Sequence, residues 1–255
     1  MMRRAGLALL LALAPLGTLA QDRSDEASQF CAEPLRTDLC FATVSAWYEG
    51  PTRRYDHAVL GDDVEWGTLV YETKAKGTIS LVLPQDTVFE DIAPRLADLD
   101  GDGAPEVIVV ETSLTSGAAL AVYGLGDGGL ARRGATPFIG TRHRWLAPVG
   151  VADFDGDGRI EIAYVDRPHL AKALVLVRLE GGRLVELARL AGVSGHRIGD
   201  TAITSAVQTC ADGVVLLVPD GAWRRLLAVR LVDGALVATD AGRMTDRALA
   251  RARPC

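Results

Sequence analysis

Leu96-Ala97-Asp98-Leu99-Asp100-Gly101-Asp102-Gly103-Ala104-Pro105-Glu106-Val107-Ile108-Val109-Val110 returns fifty-five residues later as Val151-Ala152-Asp153-Phe154-Asp155-Gly156-Asp157-Gly158-Arg159-Ile160-Glu161-Ile162-Ala163-Tyr164-Val165. Each copy leads into a second apolar, β-prone run (residues 119–123 and 174–177). A glycine turn follows (Gly126-Asp127-Gly128-Gly129 and Glu180-Gly181-Gly182), then a further short run at 130–135 and 184–190. One unit therefore reads as strand, acidic loop, strand, connection, strand, glycine turn, strand.

Weaker copies flank this pair. On the N-terminal side, residues 55–60, 67–71 and 78–83 are strand-like, with 41–47 a candidate first strand. On the C-terminal side, residues 203–207, 214–218, 226–231 and 235–239 repeat the layout, with Val232-Asp233-Gly234 as a hairpin turn. Units of about 50 residues are too small to bury both faces of a sheet alone, so they must stack on one another. The expectation is an all-β fold, a small β-propeller of about four four-stranded blades over residues 41–255; a sandwich or a solenoid is the competing architecture. Short helices are expected only near 24–32 and 245–251.

The acidic loops carry the chemistry. Asp98, Asp100, Asp102 and Glu106 fall at positions one, three, five and nine of one loop, and Asp153, Asp155, Asp157 and Glu161 at those of the other. Glycine at position six lets the carboxylates converge, and the backbone carbonyl at position seven, of Ala104 or Arg159, is a further candidate ligand. A cage of six to eight oxygens suits Ca²⁺ better than Zn²⁺, which prefers nitrogen and sulfur. Two Ca²⁺ sites are therefore expected. An EF-hand is excluded, because position twelve is Val109 or Tyr164 rather than a bidentate Glu, and the flanks are β-prone instead of helical.

With these residues in view, the chain resembles the FG-GAP/VCBS repeat family, calcium-loop β-propellers related to the integrin alpha-subunit head. The likeness rests on the D-x-D-x-D-G-x-x-[D/E] loop and extends through the flanking units over residues 41–241. It implies a calcium-ligand role for the ten loop residues just named. This chain departs from the pattern by carrying Glu at position nine, and by showing four units where integrin-like members have seven blades. In the last unit Gln208 and Cys210 stand where the first two carboxylates belong, and Gly61-Asp62-Asp63 in the first unit lacks the spacing, so neither is expected to bind calcium.

His143-Arg144 and His196-Arg197 recur just ahead of successive units. Equivalent loops of a propeller emerge at one end, so the pairs form a possible ligand face for an anion. The alternative is that the arginines pair with acids such as Glu90, Asp91 or Asp200 and brace neighbouring blades.

Residues 1–20 read as a signal peptide: Met1-Met2-Arg3-Arg4, an apolar run at 5–16, and small residues at Thr18 and Ala20 before the cut. The run is shorter than the roughly 20 residues of a membrane span, and no later segment approaches that length. Export to the periplasm or the extracellular space is expected, with residues 21–40 as an N-terminal disulfide-looped segment. Four cysteines, Cys31, Cys40, Cys210 and Cys255, suit two disulfides. Three connectivities are possible; closeness in sequence favours Cys31 with Cys40, leaving Cys210 to tether Cys255.

The formal net charge of −6 argues against nucleic acid as a partner. No G-x-S-x-G elbow, H-E-x-x-H helix, Walker loop or dinucleotide fingerprint is present. The leading expectation is a non-catalytic binding or scaffold module of the cell envelope, its protein or polysaccharide partner unspecified. The alternative is a hydrolase or lyase acting on an extracellular polymer through the His-Arg face.

Overall fold

A computed structural model describes residues 44–245 and 248–249. The signal peptide, the 24–32 helix, Cys31, Cys40 and Cys255 fall outside these residues, as does most of the 245–251 helix, of which Ala248 and Leu249 are helical.

The described chain is all β, and each strand pairing is antiparallel. The first unit is a meander of β1 (Val44–Thr52), β2 (Glu65–Thr73) and β3 (Gly77–Val82). In the second, β4 (Thr87–Phe89) and β5 (Arg95–Ala97) lie along the same edge of β6 (Glu106–Ser113), which continues into β7 (Gly117–Gly126) and β8 (Gly129–Ala135). Phe89 also pairs with Trp66, which joins these two units into one sheet. The third unit is β9 (Leu146–Ala152), β10 (Glu161–Asp166), β11 (Ala173–Glu180) and β12 (Arg183–Ala191). The fourth is β13 (Ala206–Cys210), β14 (Gly213–Pro219), β15 (Arg225–Val232) and β16 (Ala235–Arg243). The repeat is thus structural as well as sequential: Ala97 pairs with Glu106 as Ala152 pairs with Glu161.

Packing explains why the second strand of each acidic unit is an unbroken apolar run rather than an alternating one. Along β6, Val107 and Val109 face a cluster with Tyr48, Leu69, Tyr71 and Phe89 of the first unit. Ile108 and Val110 face the opposite way, into a cluster with Leu146, Ile162 and Leu174 of the third. Along β14, Leu216 and Val218 face that same cluster, while Val215 and Leu217 lie against Met244 and Leu249. Sheets buried on both faces demand apolar side chains at every position, as in stacked blades.

Residues 55–60, expected as a strand, form part of the loop between β1 and β2. Their apolar alternation has another cause: Tyr55 and Val59 are buried, and Val59 packs among residues of the later units. This loop also reaches the fourth unit's approach, where the Gly199 amide donates to the Val59 carbonyl at 3.1 Å. Gly61 has φ +91, and a Cβ there would stand 2.8 Å from the Gly199 carbonyl, so the contact requires glycine. The fourth unit's first strand begins at Ala206 rather than at 203; residues 192–205 are largely loop, and the apolar signal there comes from Val193 and Ile203, both buried in the core.

Candidate metal centre

Both acidic loops lead into the apolar strand of their units from the strand paired beside it, β5 to β6 and β9 to β10, and therefore hang from equivalent places in the sheets. In the first loop, Asp98 accepts from the amides of Gly101 (2.9 Å) and Gly103 (3.0 Å), Asp100 from Asp102 (3.2 Å), and Asp102 from Ala104 (2.7 Å). These short-range bonds fold the chain back on itself, with Gly103 at φ +86, a backbone region that β-carbon-bearing residues seldom adopt. Glu106 is the first residue of β6, is buried, and accepts from the Leu99 amide at 2.9 Å. Carboxylate oxygens of Asp98, Asp100 and Glu106 all lie within 4.8 Å of one another. Burial, helped by the charges of Asp100, Asp102 and Asp98, pushes the Glu106 carboxyl up to about 7. A divalent cation would relieve that mutual repulsion, so the donor set of this loop fits calcium.

The second loop has the same skeleton. Asp153 accepts from Gly156 (2.7 Å), Asp157 (3.1 Å) and Gly158 (2.9 Å), Asp155 from Asp157 (3.2 Å), Asp157 from Arg159 (2.8 Å), and buried Glu161 from Phe154 (2.7 Å). Asp153, Asp155 and Glu161 again converge within 4.8 Å. The difference is a cation supplied by the chain. Arg178 of β11 gives Nε to Glu161 Oε1 (2.6 Å), Nη1 to Asp157 Oδ2 (2.9 Å) and Nη2 to Asp155 Oδ2 (2.6 Å). Burial pulls this guanidinium down, but its bonds to Glu161 and Asp155 outweigh that and hold it above its usual range. The side chain of Arg159 points to Glu180 at 3.4 Å. Sequence reading missed Arg178; the available signal was a charge interrupting the apolar run Leu174-Val175-Leu176-Val177.

The fourth unit turns from β13 to β14 directly, with Cys210 opposite Gly213, and has no acidic loop. Asp212 there is paired with Arg230 at 3.0 Å.

At a separate place, loops from all units gather the chain's four histidines around Trp145. His57 and His143 stack at 5.1 Å, and His196 lies edge-on to Trp145 at 4.9 Å. His57 Nδ1 is bonded to buried Glu90, and His143 Nε2 stands 2.9 Å from Asp56 Oδ1. The Asp200 carbonyl can only accept, so the proton of His196 sits on Nε2 (2.8 Å) and its Nδ1 accepts from His169 Nε2 (3.1 Å). Burial above all pushes His169 down to about 4. Arg144 donates to the His143 carbonyl at 2.9 Å, and exposed Arg197 lies over the Trp223 ring at 3.9 Å. His143 and His196 are thus brought to one end of the fold, while their arginines are engaged locally. Glu90 is held by His57 and Thr112, and Asp91 by Arg95. Glu90 and Asp91, named from the sequence as partners for Arg144 or Arg197, are thus held by other residues, and His57 was not singled out because it stands alone on a separate loop.

Two successive units thus carry D-x-D-x-D-G-x-x-E loops at equivalent places in antiparallel sheets. Residues 85–164, which run from just before β4 into β10 and contain both acidic loops, match the family model described as FG-GAP-like repeat. The resemblance read from the loop spacing is the one this match returns, and residues 85–164 are an FG-GAP-like repeat segment. No curated protein matches the chain. No helix among the described residues is long and apolar enough to cross a membrane.

Proposed function

We propose that the chain is an exported, calcium-stabilised FG-GAP-type binding module of the cell envelope, built as a small propeller of four blades and acting without catalysis. The observation that carries this reading is the first acidic loop, where three carboxylates converge within 4.8 Å inside the segment matched by the FG-GAP-like repeat. Asp98, Asp100, Asp102 and Glu106 would hold the ion, with the Ala104 carbonyl completing the set. Bound calcium supplies charge neutralisation at the edge of β6, and the loop residues fix the connection between β5 and β6. The contact of Gly199 with Val59, between loops preceding the fourth unit and within the first, supports closure of the array. A protein or polysaccharide partner fits the reading, and the end that carries His143, Arg144, His196 and Arg197 is the face on which to seek it.

Calcium is expected to raise the thermal midpoint of chelator-treated protein, because a ligand bound only by the folded state stabilises it by about 2.7 kcal/mol at a hundredfold excess over Kd. Asp100→Ala should abolish the rise. An unchanged midpoint in wild type on adding calcium would refute the metal assignment.

Two disulfides belong to the same reading. Cys210 is disulfide-bonded, and every other cysteine lies outside the described residues. Peptide mapping of protein from an oxidising compartment is expected to join Cys210 to Cys255 and Cys31 to Cys40, with no free thiol. Recovery of Cys210 linked to Cys40 would refute the C-terminal tether.

A further inference from the structure

The two acidic loops share a sequence pattern but not an environment. Glu161 pairs across the sheet with Arg178 of β11. In the preceding unit Val107 pairs with Tyr123, so the residue facing Glu106 is Gly124, where a Cβ would come within 3.2 Å of Glu106 Oε1. The position that carries the guanidinium-bearing residue in one unit is a glycine in the other. Arg133 of β8 crosses above Gly124, its Nε 2.6 Å from where a Cβ would stand, but its Nη2 donates to the Leu125 carbonyl at 2.6 Å, and among the described residues no ion pair joins it to the carboxylates of the first loop.

We propose that Arg178 is a tethered cation that takes the place of calcium in the 153–161 loop, so that the chain binds a single calcium ion, in the 98–106 loop. The guanidinium engages Glu161, Asp157 and Asp155 at once, and two of these, Asp155 and Glu161, belong to the trio of carboxylates that converges in this loop. Its side chain is only 7% exposed. For calcium to enter, Arg178 would have to leave three carboxylates and find solvent from a buried position, and removing a buried cation from its partners is strongly unfavourable. Fork geometry lets one arginine bridge several carboxylates, which a lysine's point charge could not do as well. The second loop is thereby folded at any calcium level, while the first depends on the ion. This inference rests on the calcium reading of the first loop and deepens it.

The test is calorimetric titration of calcium into the full chain after chelator treatment. Wild type is expected to bind one ion, Asp100→Ala none, and Arg178→Ala two. Arg178→Ala should also lose stability in chelator and regain it on adding calcium, because its stranded carboxylates then have a metal to hold. Two ions bound by wild type, or one retained by Asp100→Ala, would overturn the role of Arg178 and leave calcium binding itself intact. No ion in wild type but one in Arg178→Ala would support the tethered cation while refuting the first-loop assignment. Asp100→Ala keeps Arg178 in place, so its stoichiometry decides the question even if Arg178→Ala does not fold without metal.

Discussion

Arg95→Met is expected to lower the folding free energy by about 3–5 kcal/mol, the scale on which a buried ion loses its only opposite charge. Asp91 lies in the break between β4 and β5, Arg95 is the first residue of β5, and both are buried. Arg95 Nη1 donates to Asp91 Oδ2 at 2.8 Å and Nη2 to Oδ1 at 3.1 Å, while Nη1 also reaches the Ala93 carbonyl at 3.0 Å. Asp91 further accepts from the Ile92 and Val110 amides and from the Tyr48 hydroxyl. Those three donors remain after the substitution, but none is a cation, so a carboxylate is left charged in a closed interior. Asp91→Asn combined with Arg95→Met should cost less than the single change, since the stranded charge is then gone. Urea unfolding measures both. A single variant within about 1 kcal/mol of wild type would show that buried Asp91 does not depend on Arg95 for its charge balance.

Glu65→Gln is expected to stabilise the protein by about 3 kcal/mol at pH 7. Glu65 begins β2, is 3% exposed, and is pushed up to about 9 by burial, then by the charges of Glu90, Asp62 and Asp91. A carboxyl raised from 4.5 in the unfolded chain to about 9 in the folded one contributes fully below pH 4.5. That contribution is lost as pH rises through about 9, because the unfolded state gives up the proton first. The amide keeps the shape of the side chain and has no proton to lose. The variant should therefore unfold at a higher temperature than wild type at about pH 8, with the gap closing toward pH 5. Parallel curves for the two proteins across that range would mean that Glu65 is charged in the fold.

The different legibility of the parts has a physical basis in chain distance. Hydrogen bonds of the Asp98 and Asp153 carboxylates reach amides three to five residues ahead, so the loop and its ligand pattern are written in consecutive positions. The same holds for the strands of the second and third units, whose runs at 130–135 and 184–190 became β8 and β12 with ends displaced by a residue. Residues 55–60 misled because an alternating pattern reports burial on one side, whether the partner is a strand or the interior that a loop enters.

Sequence by itself determined the repeat, the all-β class and the two carboxylate loops, since each arises from backbone turns and side chains within a few residues of one another. Tertiary structure alone decided what stands opposite each loop: Arg178 seventeen residues beyond Glu161, and glycine opposite Glu106. It also decided that Asp91 answers to Arg95 rather than to Arg144 or Arg197, and that histidines 57, 143, 169 and 196 meet. Those outcomes depend on the register between strands and on the approach of loops from different units. Burial strengthens the resulting charge interactions, and no spacing along the chain encodes it.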